Sequence, residues 1–128
     1  MRPTRIAFDL DDVLCERSVE GPTKEKYNSC VPIQKMIDVC NKAYDEGCEI
    51  TIFTARGMDV FKKNKDLIID ELFELTKNQL RDWGVKHHNL VMGKQPYDLL
   101  IDDKAGSSFD IKSFDDVIKA KKRSQKKL

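Results

Sequence analysis

Four short β-rich runs alternate with stretches of helical periodicity, and this alternation narrows the fold more than any other feature of the chain. The runs are residues 4–9 (TRIAFD), 48–53 (CEITIF), 89–92 (NLVM) and 97–101 (YDLLI). After the first, Pro32 suits the opening turn of a helix, and apolar residues follow at 33, 36, 37, 40 and 43 or 44 until Gly47. After the second, residues 64–83 set Ile68, Leu72, Leu75, Leu80 and Trp83 on one stripe that Gly84 ends. A last helix covers about residues 113–123, and residues 14–31, with Gly21, Pro22 and Asn28, read as a loop or flap. Strands joined through helices imply right-handed crossovers and a parallel sheet with helices on both faces. The expected fold class is α/β: a Rossmann-like three-layer α/β/α sandwich with a parallel central sheet. At 128 residues there is room for one domain, taken as 1–118, with a tail at 119–128.

Composition removes several classes of function. With 40% hydrophobic and 35% charged residues the chain belongs with globular rather than disordered sequences. No apolar stretch approaches the ~20 residues that cross a bilayer. The opening residues reach acids too soon for a signal peptide, so a cytoplasmic location without membrane partners is expected. Cys15, Cys30, Cys40 and Cys48 form no C-x-x-C pair, neither histidine has a ligand partner at i+3 or i+4, and no zinc site is expected. None of the cysteines precedes an arginine by six positions, which excludes a cysteine-nucleophile phosphatase loop. Thiols used as small core residues fit better. The tail KAKKRSQKKL holds six basic residues, leaving 17 basic against 22 acidic in the rest. An acidic body argues against a broad nucleic-acid groove, and such a tail reads first as a solvated helix end.

In parallel α/β sheets the functional groups gather past the carboxyl ends of the strands. Here those positions hold Asp9-Leu10-Asp11-Asp12, then Thr54-Ala55-Arg56-Gly57, then Gly93-Lys94, then Asp102-Asp103-Lys104. Each group suits phosphate or a hard divalent cation. Phosphate-monoester hydrolysis is among the slowest uncatalysed reactions, so a catalyst needs both charge neutralisation and a placed nucleophile. A carboxylate can attack phosphorus and form an aspartyl-phosphate. Asp9 and Asp11, two apart, would leave the pleat on the same side. Asp9 can then attack while Asp11 protonates the leaving oxygen and later activates water. Thr54 offers a hydroxyl and a backbone N–H to phosphoryl oxygens, Lys94 a fixed positive charge, and Asp102 a further ligand for Mg2+.

These four groups resemble the four motifs of the haloacid-dehalogenase superfamily over essentially the whole chain. The resemblance implies Asp9 as nucleophile and magnesium ligand, Asp11 as acid/base with its main-chain carbonyl on the metal, and Asp102 as the acidic ligand, with Asp103 behind it. It also places Thr54, Ala55, Arg56 and Lys94 at the substrate phosphate. Two positions depart from the family pattern: Asp12 stands where glycine is frequent, and Val13 where threonine is. The gap at 14–31 is too short for a cap domain and none fits after the third strand, so a capless member is implied. TARG and GKxxYDLxIDDKA resemble small bacterial phosphatases of capsular polysaccharide and sugar-nucleotide biosynthesis, which implies a phosphorylated sugar or glycan phosphate ester as substrate.

Other readings stay open at this point. A polynucleotide-end or nucleotide phosphatase, a phosphotransferase or mutase, and a binding protein with a vestigial site share some or all of the motifs. A homo-oligomer is also compatible, because an open site suits cover by a neighbouring subunit. Residue by residue, DLDD reads alternatively as a turn, Arg56 as a surface charge, and Cys15 as packing. Lys104 reads as an ion-pair partner, and His87 and His88 as loop residues.

Overall fold

The computed structural model describes residues 2–17, 23–58 and 65–125, without the side chains of residues 23–25 and 65–68. The elements in chain order are β1 (Arg5–Asp9), β2 (Cys15–Glu16), α1 (Thr23–Asn28), β3 (Val31–Pro32), α2 (Gln34–Asp45), β4 (Glu49–Thr54), α3 (Lys65–Asp82), β5 (Asn89–Met92) and α4 (Phe114–Ser124). The mixed α/β class expected from the alternation is what the chain adopts. Strands β1, β4 and β5 form a parallel sheet in that order, with Phe8 opposite Ile52 and Ile52 opposite Leu90.

The core occupies one face of this sheet. Phe8, Ile50 and Ile52 are buried with Met36, Ile37, Val39, Cys40 and Ala43 of α2 and Leu72 and Leu80 of α3, and Ile6, Leu90 and Met92 pack against them. On the opposite face Arg5, Ala7, Asn89 and Val91 are exposed, and Thr51 and Phe53 half-buried. The expectation of helices on both faces is corrected here. Both crossovers step in the same direction along the sheet, from β1 to β4 to β5, and crossovers of one hand then lay their helices on one face. Covering the other face would require the chain to reverse direction past β1.

A fourth strand was expected at residues 97–101, and it does not form. These residues form no strand; Leu99 is 77% and Ile101 90% exposed. Their apolar run is a strand signal without a partner strand among the described residues. Pro32 is a second correction. It pairs in β3 with Cys15 of β2 rather than opening the helix, and α2 begins two residues later behind Ile33. Proline at a sheet edge sacrifices no ladder hydrogen bond. The flap expected at 14–31 carries β2, α1 and β3, its ends clasped by the pairing of β2 with β3 and by an Ile33 N–H···O Leu14 bond of 2.8 Å; residues 18–22 lie outside the described ones. The inner stripe of α3 holds at Leu72, Leu75, Leu80 and Trp83, while the Ile68 side chain lies outside the description.

The basic tail begins inside α4. Ser113 caps the helix through the Asp116 N–H, Asp115 and Asp116 fill the first turn, and Lys121, Lys122 and Arg123 the last, each sign where the helix dipole favours it. Val117 is buried and Lys121 donates to Thr4 Oγ1 at 2.8 Å, which holds α4 on the body near the start of β1. Residues 126–128 of the tail fall outside the described ones. Among the described residues no helix is long and apolar enough to cross a membrane.

Candidate functional site

The carboxyl edge of the sheet brings three of the four motif groups together. Asp9 ends β1. Its Oδ1 accepts the Leu10 N–H at 2.9 Å and its Oδ2 accepts Lys94 Nζ at 2.8 Å. Lys94 arrives there because Gly93 turns the chain directly after β5 at φ 91°, a left-handed conformation open to glycine. The Lys94 N–H then donates to Thr54 O at 3.0 Å. Its ammonium also lies 4.6 Å from the Phe53 ring centre and 4.7 Å from that of Tyr97. Burial alone would lower the Lys94 pKa, but hydrogen bonds to Asp9 and Tyr97 carry the net shift upward, so it is a fixed cation. The Asp9 side chain stays 34% exposed.

Asp11 goes elsewhere. Its oxygens accept Arg56 Nε at 3.1 and 3.2 Å and Nη2 at 3.0 Å, and Oδ2 lies 3.4 Å from Thr54 Oγ1. Thr54 belongs to the core face, whereas Lys94 sits over Phe53 on the open face. The shared side expected for Asp9 and Asp11 is therefore corrected. The strand ends at Asp9, so the pleat no longer dictates where Asp11 points. The next residue, Asp12, has φ 67°, in the left-handed region that favours glycine and that aspartate tolerates better than most residues. This is the position where the resembling family frequently has glycine.

Arg56 is 1% exposed and its donors are engaged on every side. Nη1 donates to Thr76 Oγ1 at 2.8 Å and Gln79 Oε1 at 2.6 Å. Nη2 lies 3.6 Å from Cys15 Sγ and 3.7 Å from Cys30 Sγ, and the guanidinium stacks 4.8 Å from the centre of the Tyr27 ring. Gln79 in turn donates to Tyr27 O at 2.7 Å. Burial would lower the Arg56 pKa, and Asp11 reverses that, with Cys15 and Cys30 adding to it. As placed, this arginine ties the flap, the second motif and α3 into one network and has no donor left for a phosphate. Thr54 is likewise fully buried, its Oγ1 accepting the Arg56 N–H at 3.0 Å, and Ala55 between them is half-buried.

The fourth motif group stands apart. Asp102 is exposed and its Oδ1 accepts the Lys104 N–H at 2.6 Å, while Asp103 pairs with Lys104 at 3.4 Å. Among the described residues the group whose potential ligand atoms lie within 4.8 Å of one another is Asp11, Cys15 and Cys30. It does not fit magnesium, which takes oxygen ligands in near-octahedral geometry. Burial pushes both thiols up, away from the thiolate, and the Arg56 cation already faces them. The ligands expected for Mg2+ were the Asp9 and Asp102 carboxylates and the Asp11 main-chain carbonyl; the side chains of Asp9, Asp11 and Asp102 form no such group among the described residues.

The sequence reading missed Cys30, Thr76 and Gln79 as partners of this arginine. A signal existed for two of them. Thr76 and Gln79 are polar residues one turn apart within the apolar stripe of α3, and such an interruption calls for a buried polar partner.

No protein-family model matches the sequence, and no curated protein matches it. The chain is similar to the crystal structure of an MCSG target from Vibrio cholerae, with a TM-score of 0.72 and 21% sequence identity, over 98% of this chain and 90% of that one. A likeness at that identity establishes a shared fold.

Proposed function

We propose that this chain is a phosphate-monoester hydrolase with Asp9 as its nucleophile, acting on a phosphorylated sugar or glycan phosphate ester. The observation that carries the reading is the Lys94–Asp9 pair at 2.8 Å, because it joins, at the carboxyl edge of a parallel sheet, two motif residues 85 positions apart. The resemblance to haloacid-dehalogenase phosphatases supports the reaction class, and the TARG and GKxxYDLxIDDKA segments support the sugar-phosphate substrate.

The chemistry follows from these groups. One Asp9 oxygen forms a bond to phosphorus as the ester oxygen departs with its electron pair and takes up a proton. Water then attacks the aspartyl-phosphate at phosphorus, which frees inorganic phosphate and restores the carboxylate. Lys94 offsets the repulsion between carboxylate and phosphate dianion, a matter of several kcal/mol at contact for an effective dielectric near 20. The Leu10 N–H holds the other Asp9 oxygen and so fixes the angle of attack. Asp11 can hand on a proton only after one of its oxygens leaves Arg56. The clustered donors Asp11, Cys15 and Cys30 do not fit magnesium.

Phosphate release from a panel of sugar phosphates, nucleotides and 3′-phosphorylated oligonucleotides tests the proposal, with magnesium or EDTA present. Release by the wild type should fall about 10⁴-fold in Asp9→Asn. Equal release by both proteins would remove Asp9 from the chemistry, and the best substrate decides between the sugar and polynucleotide readings.

A further inference from the structure

The open face of the sheet carries two aromatic rings beside Asp9 that the proposed chemistry leaves unused. Asp9, Phe53 and Val91 stand in one row across β1, β4 and β5, so Phe53 is the cross-strand neighbour of Asp9. Lys94 joins the second ring to this row. While it donates to Asp9 Oδ2, its ammonium lies over both the Phe53 ring and the Tyr97 ring. Phe53 is half-buried, whereas about half of Tyr97 stands in solvent, and Ala7 and Val91 on the same face are exposed as well.

The chain reaches Tyr97 by a short, stiff path. The Lys94 N–H is fastened to Thr54 O at 3.0 Å. Two residues on, Pro96 fixes its own φ and restricts Gln95 before it to extended backbone. A ring carried on so rigid a segment loses little freedom when a ligand settles on it. Lys94 lies over the Tyr97 ring on one side, yet much of the ring remains in water. Gln95 and Asp98, both exposed, stand on either side of it in the chain with amide and carboxylate groups. An aromatic face flanked by such groups suits a sugar, which offers C–H groups to the ring and hydroxyls to the flanks.

We propose that Tyr97 determines substrate specificity by stacking on the sugar ring of a hexose phosphate whose phosphate sits at Asp9 and Lys94. This rests on the phosphatase reading above and names the residue that recognises the substrate beyond phosphorus. In-line displacement sends the ester oxygen away from Asp9, so the sugar lies on the solvent side of the phosphate. Tyr97, the more exposed of the two rings, is the one placed to meet it, while Phe53 stays beneath Lys94. The hexose is favoured over a nucleobase by reach. The Tyr97 ring lies 4.7 Å from the cation that meets the phosphate, and a hexose ring adjoins its ester oxygen, whereas a base lies a ribose further out.

Steady-state kinetics of the wild type, Tyr97→Ala and Tyr97→Trp test this, on the fastest hexose phosphate and the fastest nucleotide of the panel, with inorganic phosphate as inhibitor. Tyr97→Ala should raise KM for the hexose phosphate about tenfold and leave kcat within about twofold. Its KM for the nucleotide and its inhibition by phosphate should not change, and Tyr97→Trp should keep the wild-type KM. An unchanged hexose phosphate KM in Tyr97→Ala overturns the proposal. So does an equal weakening of phosphate inhibition, which would mean that the ring acts through Lys94. A nucleotide KM that rises as much, or a wild type that hydrolyses no hexose phosphate but does hydrolyse nucleotides or oligonucleotides, overturns the choice of sugar. Should Tyr97→Ala fail to fold, Tyr97→Leu, which keeps the bulk without the aromatic face, carries the same expectation. A wild type inactive on every substrate defeats the phosphatase reading, and calorimetry with glucose 1-phosphate and glucose 6-phosphate then decides the stacking. Binding about tenfold weaker to Tyr97→Ala than to the wild type upholds it, and equal binding or none overturns it.

Discussion

Two acid–cation pairs sit side by side at the carboxyl edge of the sheet, and they differ in almost everything except charge. Arg56–Asp11 is sealed, with side chains 0% and 15% exposed, and every neighbour of the guanidinium is a group of this protein. Lys94–Asp9 is open: the lysine is 10% and the aspartate 34% exposed, and the pair faces the uncovered side of the sheet. A buried ion pair is held by its geometry, and removing one member strands the other in a poor solvent for charge. A pair whose carboxylate is one-third exposed is screened by water on that side and leaves the carboxylate within reach of an incoming group. The first pair reads as architecture and the second as chemistry, although the sequence presents both as strand-end charges of equal standing.

Arg56→Met gives the strongest test of that contrast. It leaves Asp11, Thr76 Oγ1 and Gln79 Oε1 without their donor, and urea denaturation should record a loss of about 3–5 kcal/mol. Arg56→Lys should recover only part, because an ammonium cannot span Asp11 and Gln79 together. Unchanged stability with a large loss of phosphate release would reverse the assignment and return Arg56 to the substrate.

Lys94→Ala should behave in the opposite way. Stability should change by less than about 1 kcal/mol, since Asp9 remains solvated. Phosphate release should fall by about 10²-fold, as expected when a fixed charge at the reacting group is removed. A variant that unfolds early but keeps full activity per folded molecule would make this pair structural too.

The smallest effect lies in the core beneath both pairs. Burial pushes the Cys40 thiol up to about 12 from its ordinary 9.0. A raised folded pKa means that the native chain binds the proton more tightly than the unfolded one. Stability is then fully present below pH 9 and declines as pH rises from 9 towards 12. Denaturation at pH 8 and pH 10 should differ by about 1 kcal/mol on account of Cys40, and Cys40→Ala should remove that share of the slope. A slope unchanged by the substitution would place the alkaline sensitivity with other groups.

Much of the fold was legible in the sequence because it rests on periodicity. Alternation from Arg5 to Asp9 and from Glu49 to Thr54, the helical spacing of α2 and α3, and the stops at Gly47 and Gly84 are local signals. The site was legible to the same depth. The order of the strand ends put Asp9, Thr54 and Lys94 at one edge of the sheet, because a parallel sheet aligns its carboxyl ends whatever the helices between them do.

What a local signal cannot carry is the identity of a partner. The residues YDLLI read as a strand on their own merits, but a strand exists only where it pairs with another, and here Leu99 and Ile101 stay exposed beside no strand. Arg56 read as a surface charge or a phosphate contact; its fate was fixed by Thr76 and Gln79, twenty and more positions away, which turn inward from α3 to meet it. The sequence by itself determined the strand–helix alternation and the residues that face the sheet's carboxyl edge, because both follow from backbone geometry repeated every two or 3.6 residues. Tertiary structure alone decided which acid is locked to a buried cation and which stays open, and which apolar strand stays unpaired. Charge pairing and edge pairing depend on distances between segments far apart in the chain.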